Sequence, residues 1–69
     1  MPTKQEIIAG LSPIMRKSYR VLMANAHELK CVLVWSQAGS YEELELVQPS
    51  DLTNEDYMRC RVVLFDGRG

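Results

Sequence analysis

The sequence predicts an α+β domain in which N-terminal helical segments pack on a three-stranded antiparallel β-sheet, in the order α-α-β-β-β. Three observations point there. The N-terminal part carries helix-start signals and apolar residues at helical spacing; the run Cys31-Val32-Leu33-Val34-Trp35 is β-branched and aromatic; and two later stretches alternate apolar with polar residues. At 69 residues the chain has room for one core, so residues 1–69 are read as a single small domain. A hydrophobic fraction of 46% argues against disorder.

Thr3 followed by Glu6 fits a capping box, so a helix should begin at Lys4. Gly10 offers the left-handed conformation that ends helices, and Ser12-Pro13 supplies a cap and a first-turn proline. This gives helices at about 4–9 and 13–28, with one kinked helix as the alternative. On the longer helix Ile14, Met15, Leu22, Ala26 and Leu29 recur on one side, with Tyr19 at the margin. Arg16, Lys17, Arg20 and His27 gather opposite. Ser18 and Asn25 fall inside the apolar arc, where an unpaired buried polar group costs about 1–3 kcal/mol. Ser18 can bond the carbonyl four residues earlier, whereas Asn25 needs water or a loop.

A strand follows at 30–36, then a turn at Gln37-Ala38-Gly39-Ser40, then a second strand from Tyr41 to Val47 that pairs back as a hairpin. Leu44 and Leu46 point one way on it, Glu43 and Glu45 the other. Pro49 ends the strand and residues 50–56 read as a loop, with at most one helical turn started by Thr53-Asn54-Glu55-Asp56. Alternation resumes from Met58 to Phe65, the third strand, with Met58, Cys60, Val62 and Leu64 on one face and Arg59, Arg61, Val63 and Phe65 on the other. Placed beside the second strand, it would set Arg59 and Arg61 against Glu43 and Glu45. Residues 66–69 are read as a mobile tail.

Charge is divided unevenly along the chain. Residues 1–30 carry five bases and two acids, residues 31–69 three bases and seven acids, and the whole has a net charge of −1. A non-specific nucleic-acid binder is expected to be strongly basic, so that class is disfavoured, although Arg16, Lys17, Arg20 and His27 could contact phosphates or an acidic protein surface. The acids at 51–56 lack the alternating ligands and central glycine of a calcium loop. His27 alone makes no metal site, and both cysteines lie in apolar strand runs, where thiols are normally inert packing groups. No phosphate loop or nucleophile–base spacing is present, so we expect no catalytic residues, cofactor or metal, and no enzyme. With two cysteines and no signal-like or membrane-spanning run, a cytoplasmic protein with free, packing thiols is expected.

One helix layer covers one sheet face. The other, carrying Val32, Val34, Val63 and Phe65, would then be apolar and unshielded, which marks an interface and favours a homodimer or a stable protein partner. Trp35 and Tyr41, at strand ends, are either core or anchors in that contact. The expected function is a small non-enzymatic protein-interaction module, a regulator, adaptor or inhibitor of the size that bacteria and phages often encode. The alternatives are nucleic-acid binding through the basic helix face and a structural subunit of an assembly such as a virion.

Overall fold

The computed structural model describes residues 2–69. Its first helix, α1 (Lys4–Ala9), opens on the capping box: the Thr3 hydroxyl accepts the Glu6 amide at 3.2 Å, and the Thr3 amide donates to the Glu6 carboxylate at 3.1 Å. Gly10 ends α1 with φ −90°, not the left-handed conformation, its N–H donating to the carbonyls of Glu6 and Ile7. A separate second helix, α2 (Pro13–Leu29), starts where the Ser12 hydroxyl accepts the Met15 amide at 3.2 Å. Lys30, at φ 54°, takes the left-handed position that closes α2, and the chain turns directly into β1 (Val32–Ala38). Gly39, at φ 63°, allows the tight turn into β2 (Tyr41–Val47).

The two strands pair antiparallel with Val32 opposite Val47 and Ala38 opposite Tyr41. The third strand, β3 (Arg61–Asp66), lies on the other side of β1, giving the order β2-β1-β3. Placing the third strand beside the second is therefore overturned. β1 is the central strand, and its run Val32 to Trp35 is buried on both faces. Helices and sheet together form the α+β architecture.

On one face Leu33, Trp35 and Leu64 pack with Ile7, Ala26 and Cys31 beneath α1 and α2, flanked by Tyr19, Leu22, Leu44 and Leu46. On the other, Val32, Val34 and Val47 are covered by Leu52, Tyr57 and Met58. These come from the connection between β2 and β3, which folds as a 3-10 turn (Pro49–Thr53) and a short helix, α3 (Glu55–Met58), capped by Asn54. The unshielded second face is thereby overturned: Val32 is 0% and Val34 2% exposed. The connection had to cross that face because β2 and β3, both antiparallel to β1, flank it on opposite sides. Met58 and Cys60 consequently precede the third strand instead of belonging to it; Met58 faces the core and Cys60 is exposed in the turn.

Register shifts between Leu33 and Val34: Val34 opposes Val63 while Leu33 opposes Phe65, leaving Leu64 as the extra residue of a bulge. Leu64 and Phe65 thus both join the helix-side core, and Phe65 is corrected from the opposite face. The expected mobile tail is also corrected. Asp66 belongs to β3, and Gly67 is buried, donating its N–H to the Cys31 carbonyl at 2.9 Å. A Cβ at Gly67 would lie 2.1 Å from the Ala26 carbonyl oxygen, so this glycine permits the close approach of β3 to the end of α2.

Candidate protein-interaction surface

α2 has two apolar stripes. Met15, Tyr19, Leu22 and Ala26, at spacings of four and three, turn toward the sheet and are half-buried or buried. Ile14, Val21 and Leu29 face outward and are 78%, 60% and 67% exposed. Helical spacing alone joins these stripes into one arc that would put Ile14 and Leu29 toward the core. Two features separate them: Ala26 lets the sheet-side stripe approach closely, and the bulky Tyr19, Leu22 and Met23 pack against the core between helix and sheet. The outer stripe has Ser18 and Asn25 between its aliphatic residues, both exposed and hydrated without any desolvation cost.

Beside this stripe a shallow groove runs between α2 and β2, lined by Met15, Ser18, Leu22, Tyr41 and Leu44 together with Glu42 and Glu43. Tyr41 stands at its rim, 66% exposed, where β2 opens beside the hairpin turn. Val21, Ser18 and Lys17 continue the depression on the outer side of Leu22. The exposed large side chains here are three aliphatics and one aromatic, the kind that mark contact patches, with Lys17, Glu42 and Glu43 as polar neighbours.

Other sequence candidates are scattered. The Arg16 guanidinium turns back to the end of α1, donating to the carbonyls of Ile8 at 3.1 Å and Ala9 at 3.3 Å, so it caps that helix. Lys17, Arg20 and His27 remain exposed on α2. Trp35 is buried in the core with its indole N–H donating to Glu42 at 3.0 Å. Val32 and Val34 are buried, Phe65 is half-buried on the helix side, and Val63 is 36% exposed on β3. Only Tyr41 among the expected apolar contacts lies with the outer stripe; Ser18 and Val21 belong to it and were not singled out as contact residues.

Across the sheet, Tyr57, Glu45 and Arg61 form a polar clasp. The Tyr57 hydroxyl donates to Glu45, Arg61 donates to the Tyr57 carbonyl and lies 4.1 Å over the tyrosine ring, and its Nε is 3.7 Å from Glu45. Opposite charges do meet, but Arg61 reaches Glu45 across the central strand, while Arg59 pairs with Asp56 within its own turn. The hydrogen bond to Glu45 stabilises the neutral phenol and raises the Tyr57 pKa above its ordinary value, aided by partial burial. This clasp fastens the connection onto the sheet.

Among the described residues no three or more His, Cys, Asp or Glu side chains converge as a metal site. No described helix is long and apolar enough to cross a membrane. The chain matches no protein-family model, no curated protein and no solved structure.

Proposed function

We propose that this chain is a non-enzymatic protein-interaction module of the cytoplasm, a regulator, adaptor or inhibitor, whose contact surface is the outer stripe of α2 with Tyr41 at its edge. One observation carries the reading: three large aliphatic side chains, Ile14, Val21 and Leu29, stand exposed in line on a helix that already buries another stripe against its own sheet. Core packing therefore gives no account of them. Aliphatic surface gains about 25 cal/mol per Å2 when removed from water, so a partner's apolar face would stabilise the arrangement. Such a small domain also benefits from any contact that adds to its limited core.

The test is a photo-crosslinking amino acid at position 21, with a second at Gln37 as the control, in the full chain within its native host. Capture of a protein, a second copy included, from 21 and not from 37 is expected. Equal capture from both, or none from either, defeats the reading. Nucleic-acid binding through Lys17, Arg20 and His27 would instead show affinity that falls steeply with salt.

A further inference from the structure

The polar residues of the outer stripe identify its occupant. Along α2 the stripe reads Ile14, Ser18, Val21, Asn25, Leu29, and at about 100° per residue these five lie within about 80° of one another. The order is nearly its own reverse about a point between Val21 and Leu22. Ile14 lies as far before that point as Leu29 lies after it, and Ser18 as far before it as Asn25 after. A helix laid antiparallel on a second α2 about that point would therefore set aliphatic ends on aliphatic ends. It would set each Ser18 hydroxyl against an Asn25 amide, satisfying the two polar groups that the contact dehydrates.

Charge supports the same arrangement. A two-fold axis perpendicular to both helices reverses their direction but brings like flank onto like flank. Lys17 and Glu28 occupy one flank, about 20° apart around the helix, on opposite sides of the same point and offset from exact symmetry by two residues, about 3 Å along the axis. Both are exposed, and among the described residues neither forms an ion pair within the chain. In the antiparallel arrangement Lys17 faces the partner's Glu28, and Glu28 faces the partner's Lys17. A parallel pair, whose two-fold axis runs along the helices, would bring opposite flanks together and leave the Lys17 and Glu28 of the two copies on opposite sides of the contact.

We propose that the outer face of α2 binds a second copy of this chain, with the helices antiparallel about Val21 and Leu22. The proposal rests on the reading of this stripe as a contact surface and names its occupant. Sedimentation equilibrium of the full chain up to about 100 µM should show a species of twice the chain mass, since even contacts in the weak class associate at that concentration. Lys17→Glu and Glu28→Lys should each weaken the dimer about tenfold, because each places two like-charge pairs in the contact. The double variant K17E/E28K should restore affinity to within about threefold. Val21→Asp should weaken it by about a hundredfold or more by burying two carboxylates at the centre. All three positions are exposed, and unchanged circular dichroism would separate lost association from lost folding.

A monomer throughout the range overturns the proposal, as does a double variant no tighter than the singles. If the chain is monomeric while position 21 still captures a different protein, the contact surface stands and the self-pairing fails. A dimer indifferent to Val21→Asp, together with no capture at position 21, removes both.

Discussion

The two faces of the central sheet are closed by opposite means. Over Leu33, Trp35 and Leu64 lies a helix of 17 residues whose inward stripe repeats at helical spacing. Over Val32 and Val34 lie three side chains, Leu52, Tyr57 and Met58, from segments of five and four helical residues. A periodic cover distributes its contacts over many positions, so losing one leaves the others in place. The short cover depends on a few side chains and on the polar clasp, so it should open locally at lower free energy than the helix face.

The largest effect is expected on the helix face. Leu64→Ala removes a fully buried side chain at the bulge where β3 meets α1 and α2, at a cost of about 3–5 kcal/mol. For a domain this size that approaches the whole folding free energy, so circular dichroism at 25 °C should show a largely unfolded chain. Gly67→Ala should cost about 3 kcal/mol, the upper end for overpacking, because its Cβ meets backbone at 2.1 Å rather than a side chain that can move. Denaturant melts should show Gly67→Ala far more harmful than Gly39→Ala, where the added Cβ meets nothing within 4 Å and only the positive φ opposes it.

The second face should respond less and locally. Leu52 is half-buried, so Leu52→Ala should cost about 1–2 kcal/mol, below the fully buried range. Hydrogen exchange gives the sharper readout: amides of 49–58 should lose protection while those of Leu33 and Trp35 keep theirs. Equal loss on both faces would show that the two covers unfold as one unit.

This contrast also separates what could be read in the sequence from what could not. Thr3 with Glu6, Ser12 before Pro13, and the run from Val32 to Trp35 act locally, through caps and β-branched packing, and each lay where it was read. The neighbours of β1 are decided by a connection thirteen residues long, from Gln48 to Cys60, whose path depends on Leu52, Tyr57 and Met58 finding the far face. No periodicity encodes that. The bulge at Leu64 likewise reverses the facing of one residue, which alternation cannot anticipate, and Gly67 is explained only by the backbone of Ala26 beside it. For the candidate surface, Tyr41 was legible as an edge aromatic, and Ile14 and Leu29 were legible as apolar. Their outward direction was not, because two stripes adjacent on one helix read as a single wide arc.

A smaller effect belongs to the end of β3. Arg68 bonds the Asp66 carboxylate, with Nη2 at 2.6 Å from Oδ2, and holds its pKa down to about 2. The folded value lies below the ordinary 3.8, so this contribution is present above about pH 4 and fades as pH falls toward 2. Asp66→Asn should flatten that part of the acid unfolding profile and leave neutral stability little changed, as expected of exposed ion pairs.

The finest test of the comparison is the Tyr57 clasp, since it acts on the short cover alone. Tyr57→Phe keeps the ring over Val32 and Val34 but removes the hydroxyl that donates to Glu45, which should cost about 1 kcal/mol at pH 7. Its pH dependence has a definite sign. The folded phenol titrates above its ordinary value of 10.0, so the unfolded chain loses that proton first as pH rises. The stabilisation is fully present below pH 10 and is lost as pH climbs through the folded value. Urea melts from pH 8 to 11 should therefore bring the native chain and the phenylalanine variant together at the alkaline end. Because the clasp touches only the second cover, the variant should speed exchange of the 49–58 amides and leave the amides of α2 unchanged. If the two chains keep a constant separation across that range, the hydroxyl does not hold the cover through its proton, and packing of the ring alone closes the second face.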